Sequence, residues 1–205
     1  MLESSAEPVP AAPSFGGPDG NEVLTSATAV VLTLLLAAEG ITIIDVGGLR
    51  SPHMFIGVVL IPPVLVKLGS TGYRFVRYYT RAAPYREKGP PILPLRLLAP
   101  LLVVSTVAVF GTGVALLLLG RRDGTLLEVH KVGFIVWGVV FAVHFLAYVP
   151  RMMRSLRSDW TRRRRRELAG TGARLAILGT SIVVGVGLAL ALLSLITGWH
   201  GERPF

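Results

Sequence analysis

Apolar residues in this chain come in long runs rather than short alternations. Five stretches, at about 23–47, 53–79, 93–119, 126–149 and 173–198, are each near the ~20 residues that a helix needs to cross a bilayer core. The borders carry local signals. Ser51-Pro52 places a hydroxyl before a proline suited to a first helical position, and Thr125-x-x-Glu128 has the form of a capping box. Gly47-Gly48 suits a tight hairpin. Pro62-Pro63 predicts a kink midway along the second span, where the rings and missing N–H groups disturb the helix. The pattern predicts an all-α fold, an integral membrane helical bundle of about five transmembrane helices.

Ahead of the first run, residues 1–22 are rich in Pro, Gly, Ser and Ala and nearly devoid of large apolar groups, so they read as a disordered tail. They lack the positive n-region of a signal peptide, and no cleavage is expected. The organisation read from the chain is a tail (1–22), a four-helix core (23–150), a basic loop (151–172), and a fifth helix with a short outer tail (173–205).

Composition sharpens this picture. The 205 residues are 52% apolar and 16% charged, and the mean hydropathy of +0.62 is unlike that of a soluble domain. A net charge of +9 raises nucleic acid as a partner, but the placement of that charge argues for none. Sixteen basic residues fall on one side of the predicted bundle: Lys67 to Arg96 between spans two and three, then Arg151 to Arg174 after span four. Five fall on the other side: Arg50, Arg121, Arg122, Lys131 and Arg203. By the positive-inside rule the first side is cytoplasmic, which places the N-terminus inside and the C-terminus outside. The run Arg162, Arg163, Arg164, Arg165 and Arg166 follows a membrane exit and Trp160, so its expected partner is anionic lipid headgroups. The segment Tyr73 to Tyr79 reads as an amphipathic continuation at the headgroups, or as a docking surface. His200, after Trp199, reads as an interfacial anchor.

Candidate chemistry then enters through the histidines. His130 and His144 lie fourteen residues apart in one span, which returns a helix to within roughly 40° of its starting face about 21 Å further along. In the second span His53 is followed, at the same spacing, by Lys67. The two spans run in the same direction, so two levels form, His53 with His130 and Lys67 with His144. A haem takes two axial imidazoles from opposite sides, and a helix bundle can supply them. On the faces between the levels lie Gly57, Leu60 and Val64 on one span, and Phe134, Trp137 and Phe141 on the other. A glycine at 57 lets a macrocycle approach the backbone. The alternative is that these histidines merely hydrogen-bond helices together. Lys67 could snorkel to the headgroups, meet a haem propionate, serve a quinone site or ligate. Glu39 is a carboxylate inside the first span; it reads either as a proton acceptor near the outer level or as a partner of a polar loop or Arg50.

The absences matter too. With no cysteine there are no disulfides, no Cys-ligated iron–sulfur cluster and no covalently attached haem. Gly111 and Gly113 lie inside a span, without the strand–turn–helix setting of a dinucleotide fold. No loop could hold a flavin or nicotinamide domain, so any electrons must come from and go to a quinone, a redox partner protein or a diffusing molecule.

Two helices of like direction with paired ligands about fourteen apart resemble the di-haem core of respiratory cytochrome b, and are similar in this respect to ferric reductases and NADPH oxidases. The resemblance covers residues 23 to 150. GYRFVRYYTRAAPYREKGPP (72–91), LRLLAP (95–100) and FGTGVALLLLG (110–120) also resemble small bacterial cytochrome b-like membrane proteins. The resemblance implies a multi-pass protein of a bacterial plasma membrane, with haem b ligated by His53, His130 and His144. The pattern departs at Lys67, where a histidine would stand. That departure implies one six-coordinate haem b at the outer level and puts an inner haem, on His144 alone or with Lys67, in question. The expected role is electron transfer, as a membrane anchor of a redox partner or a quinol-linked carrier; the alternatives are a non-redox scaffold and a small transporter or proton pathway.

Overall fold

The first helix begins earlier than its composition suggests. The structure, a computed structural model, describes residues 16–89, 93–120, 124–159 and 170–199. Helix α1 spans Gly17–Ile44, with Gly16 in the left-handed region before it, Pro18 in the first turn and Asp19 beside the N-terminal dipole. Residues 17–22, read from sequence as disordered, are therefore helical, and Asn21 explains why they are held: its Nδ2 donates to the Ser70 carbonyl of the next helix at 3.0 Å. Residues 1–15 of the predicted tail lie outside the described residues.

A turn at 45–49 follows. The Leu49 N–H donates to the Asp45 carbonyl at 2.8 Å, and the Gly48 N–H donates to Asp45 Oδ1 at 3.0 Å. A Cβ at Gly48 would meet Asp45 Oδ2 at 2.6 Å, which is why a glycine stands there. Helix α2 spans Arg50–Tyr79 and is helical through Pro62-Pro63. It starts at Arg50, so Pro52 is its third residue rather than its first. The short α3 (Ala83–Glu87) and the following Lys88 fold back on α1. Lys88 is held by both Asp19 and Glu22.

Burial works against the Lys88 charge, but hydrogen bonds to Asp19 and Glu22, with their negative charges, outweigh it and raise the ammonium pKa above its ordinary 10.5. Because the folded value is raised, this tie contributes fully below pH 10.5 and is lost as pH rises through the higher folded value. A partly exposed pair of this kind is worth about 0.2–1 kcal/mol. Lys88→Gln is expected to lower the thermal midpoint slightly at neutral pH and low salt. The difference from wild type should shrink at high salt and as pH rises through the raised folded value of Lys88.

Helices α4 (Leu93–Leu119) and α5 (Gly124–Asp159) form the second long hairpin. Thr125 lies inside α5 rather than before it, and Glu128 accepts from Lys131 Nζ at 2.8 Å, so the predicted capping box is not its role. Helix α5 also continues to Asp159, into the segment read as a loop. Arg162–Arg166 lie outside the described residues, as does His200. The fifth apolar run is two helices, α6 (Thr171–Ala191) and α7 (Leu193–Gly198), separated at Leu192.

Five of these helices are long and apolar enough to cross a membrane, and at most 28% of any one apolar window is buried. Apolar helices so little covered by protein need an apolar solvent, and the fold is a multi-pass helical bundle. On α5 the residues Val129, Val132, Val136, Val139, Val143 and Leu146 form one exposed stripe. The neighbouring stripe, His130, Phe134, Trp137, Phe141, His144 and Tyr148, is half-buried and faces the bundle.

Helix α2 is the hub, packed along its length against α1 on one side and α6 on another, while α4 and α5 pack on each other. The α1–α2 and α4–α5 hairpins meet less extensively, through α2 with α4 and α1 with α5. The buried core of Val58, Val59, Leu117, Ala189 and Ile196 lies where α2, α4, α6 and α7 converge. The close approach is made by small residues: Ser181, Gly185 and Ala189 form the buried stripe of α6, and Gly185 sits directly on the Val59 carbonyl.

Candidate functional site

At the end of the bundle marked by the 45–49 turn, α1 and α2 place three polar side chains together. His53 Nδ1 lies 2.8 Å from Glu39 Oε1 and 3.2 Å from Thr42 Oγ1. His53 is the fourth residue of α2, its N–H bonded to the Leu49 carbonyl at 2.9 Å, so it is a full turn into the helix rather than at its edge. Thr42 spends its hydroxyl proton on the Glu39 carbonyl at 2.6 Å, and its oxygen cannot give a second one to the imidazole. Both neighbours of Nδ1 therefore act as acceptors. In the neutral ring this favours the Nδ1–H tautomer, which leaves Nε2 as the nitrogen free to ligate. Glu39 is 9% exposed and faces His53 rather than Arg50. Gly57 lies one helical turn below His53, and a Cβ there would stand 3.6 Å from Glu39 Oε1, in ordinary contact with the carboxylate.

Helices α4 and α5 build a matching arrangement. His130 Nδ1 lies 2.9 Å from Thr112 Oγ1. The Thr112 hydroxyl donates to the Ala108 carbonyl at 2.7 Å, as threonines inside helices commonly do, and so accepts from the imidazole. In the neutral ring this again favours the Nδ1–H tautomer, which leaves Nε2 as the nitrogen free to ligate. A Cβ on Gly113 would meet His130 Cε1 at 3.2 Å, so the ring lies against bare backbone.

This chemistry is what a pair of axial imidazoles requires. A ligating histidine donates its other ring N–H to a carboxylate, hydroxyl or carbonyl, which fixes the ring and makes the ligating nitrogen more basic. Both rings at this level meet the requirement, with Glu39 and Thr112 as the fixing partners. The residues present fit a bis-imidazole haem. No group of three or more His, Asp or Glu side chains among the described residues is arranged to hold a bare metal ion.

The second level has a different character. Lys67 Nζ donates to the Thr25 carbonyl of α1 at 2.9 Å, so its ammonium is kept in the bundle rather than sent to the headgroups. The tie belongs to a polar seam in which Thr25 Oγ1 donates to Ser70 Oγ at 3.0 Å. His144 stacks on Tyr148 with ring centroids 4.6 Å apart, and its Nδ1 is buried and makes no hydrogen bond among the described residues. His144 thus lacks the fixing partner that His53 and His130 possess, and Lys67 is occupied as a donor. This level does not fit a second haem as the first level fits one.

Between the levels runs an aromatic ladder on α5. Phe134, Trp137, Phe141 and Phe145 follow one another with centroid separations of 5.9, 4.9 and 5.6 Å, and Trp137 Nε1 donates to Thr106 Oγ1 of α4 at 3.0 Å. Sequence reasoning found the ladder's first three members. It missed Thr42, Thr112 and Gly113 as the setting of the imidazoles, and Thr25 and Ser70 as the setting of Lys67. A signal for the first group was present, since Thr42 follows Glu39 by three residues and Gly113 shares a helical stripe with Thr106.

Comparison with family models, with curated proteins and with solved structures finds no match for this chain.

Proposed function

We propose that the protein is a membrane haem b electron carrier, with His53 and His130 as the axial ligands of one haem in its four-helix core. The observation that carries this reading is the partner at each imidazole: His53 on α2 and His130 on α5 each have Nδ1 within hydrogen-bond distance of a protein oxygen, which leaves Nε2 as the nitrogen to ligate. When bound, the haem supplies a one-electron ferric–ferrous couple. The chain's own residues do the rest. Glu39 and Thr112 hold the rings in orientation, Gly113 has no side chain to crowd the His130 ring, and Leu60 with the α5 aromatics keeps water from the level below. The basic side is cytoplasmic in this reading, the membrane is a bacterial plasma membrane, and the electron partner is a quinol or a redox protein. The arginine run 162–166 contacts anionic lipid.

The test is a dithionite-reduced minus oxidised absorbance spectrum of detergent-purified protein from haem-replete cells, with a pyridine haemochrome assay for haem per chain. Sharp α and Soret bands at about one haem per chain are expected. A flat spectrum retires the reading.

Glu39→Gln carries a second expectation. The amide still accepts from His53 Nδ1, but the negative charge behind the ligand is gone. Loss of such a partner typically costs about 10–100-fold in metal affinity, and a substitution that keeps the acceptor belongs near the lower figure. The reduction potential is expected to rise, because the carboxylate favours the ferric state. Redox titration beside haem retention measures both.

One observation favours a non-redox scaffold: the Glu39–His53 and Thr112–His130 bonds each tie the two helices of one hairpin. In a scaffold, removing an imidazole would alter helix packing and no absorbance band.

A further inference from the structure

Helix α2 is longer than a bilayer core. Its 30 residues rise about 45 Å, against a core of about 30 Å. With Arg50 at the 45–49 turn, the surplus of about ten residues falls at the Tyr79 end, among the headgroups. The exposed side does not change character there. Leu65, Gly69, Gly72, Phe75, Val76 and Tyr79 are all exposed and follow one another at helical spacing, so the apolar surface of the span runs unbroken into the overhang. Phe75 and Tyr79 lie together with ring centroids 4.5 Å apart, and Tyr78 meets Tyr79 edge-on at 5.2 Å. Rings with a polar tip settle where acyl chains meet headgroups. A surface continuous with the lipid-facing one calls for lipid rather than a soluble protein.

Cations frame that surface. Arg96, near the start of α4, donates through Nη2 to Tyr79 Oη. The phenol keeps its own proton to give away, and the guanidinium has further N–H groups. Arg77 lies over the Tyr85 ring at 5.9 Å, on the adjoining side of α2. Among the described residues, Arg77, Arg81 and Arg96 form no ion pair, while Asp19 and Glu22 are both held by Lys88. Arg81 is in the left-handed region, with φ of 63°. It closes α2 in a Schellman turn: the Ala82 N–H donates to the Arg77 carbonyl at 3.1 Å, and the Arg81 N–H to the Tyr78 carbonyl at 3.2 Å. Glycine fits that position without strain, so an arginine there gives up stability and keeps a guanidinium at the membrane surface.

We propose that Tyr79 and Arg96, with Arg81 as a further cation, bind the phosphate of an anionic glycerophospholipid where α2 meets α4. The Tyr79 O–H and the free Arg96 N–H groups donate to phosphate oxygens, and the acyl chains lie along Gly72, Phe75 and Val76. A zwitterionic headgroup is the poorer occupant, because its own cation meets guanidinium groups. The site is separate from the arginine run 162–166 and does not depend on haem.

Native mass spectrometry of the full chain tests this, with the protein delipidated in a non-ionic detergent and titrated with phosphatidylglycerol or phosphatidylcholine. A first phosphatidylglycerol is expected to bind more tightly than any later one and more tightly than phosphatidylcholine. Tyr79→Phe and Arg96→Gln should each weaken that first event about three- to tenfold. The phenylalanine keeps its ring on Phe75, so this variant is expected to melt like wild type even if Arg96→Gln does not. Arg81→Gly should move two quantities in opposite senses: the thermal midpoint rises as strain is relieved, and affinity for phosphatidylglycerol falls. A merely structural role would not split them. Glutamine at all five positions 162–166 should leave the first event in place. Equal affinity for the two lipids overturns the site, as does phosphatidylglycerol binding unchanged in Tyr79→Phe. Loss of the first event in the 162–166 variant overturns it in favour of that run. Displacement of the lipid by soluble polyglutamate overturns it in favour of an acidic protein partner.

Discussion

His130→Ala is expected to purify as a folded five-span protein with essentially no haem. The imidazole supplies a ligating Nε2 that nothing nearby can replace: its neighbours are the Thr112 hydroxyl, already committed to the Ala108 carbonyl, and the bare backbone of Gly113. Losing a ligand outright must exceed the roughly 10–100-fold cost of losing a partner behind a ligand. The fold should survive, because one interhelical hydrogen bond in a membrane protein is worth about 0.6 kcal/mol on average, and the α4–α5 hairpin keeps its Trp137–Thr106 bond. Thr112→Val separates ligation from orientation. It preserves shape, leaves His130 in place and removes the hydroxyl that accepts Nδ1–H, so haem affinity should fall by the intermediate 10–100-fold. Haem per chain in the two purified variants, beside their elution profiles, measures this. His130→Ala retaining a full complement of haem would show that the iron is held elsewhere or that the haem is adventitious.

That arrangement was partly legible before any coordinates. Spacing along a helix is a strong geometric constraint, so the fourteen-residue intervals from His53 to Lys67 and from His130 to His144 put each pair near one face of its own helix. What decides the chemistry of each level was not legible, because it depends on which neighbouring helix lends a partner. Glu39 and Thr42 reach His53 from α1, and Thr112 reaches His130 from α4. Nothing in the α2 or α5 sequence distinguishes a histidine with its Nδ1 held from one, like His144, without. Lys67 shows the same limit. Its depth in the helix permits snorkelling, but its ammonium donates to a carbonyl of α1. Element existence was secure and element ends were not. Helix α1 recruits residues 17–22 through a bond from Asn21 to α2, which no local propensity foretells. The break at Leu192 falls inside a uniformly apolar run, so hydropathy carries no sign of it.

The stability of the bundle should depend most sharply on a residue with no side chain. A Cβ added to Gly185 would stand 2.5 Å from the Val59 carbonyl oxygen, and 3.2 Å from its carbon, where ordinary contact begins at 3.4 Å. The neighbour is backbone of α2 and cannot rotate away, so α6 must move off by about 1 Å along a buried seam. Val59 is also four residues before Pro63, which has no N–H to return to that carbonyl. The bare Cα of Gly185 lies against that carbonyl instead, where a Cα–H contact is worth about 0.5–1 kcal/mol. In a membrane, where association rests on close packing rather than on the hydrophobic effect, losing both is serious. Gly185→Ala is expected to cost about 1–3 kcal/mol, the usual range for overpacking, and Gly185→Leu more. Gly187 is the internal control: it lies on the same helix, exposed, with nothing within 4 Å of a Cβ. Alanine there should be neutral or slightly stabilising through helix propensity. Thermal and denaturant unfolding of the two alanine variants in one detergent measures the contrast, and equal stabilities would mean that α6 does not press on α2 as closely as Gly185 indicates.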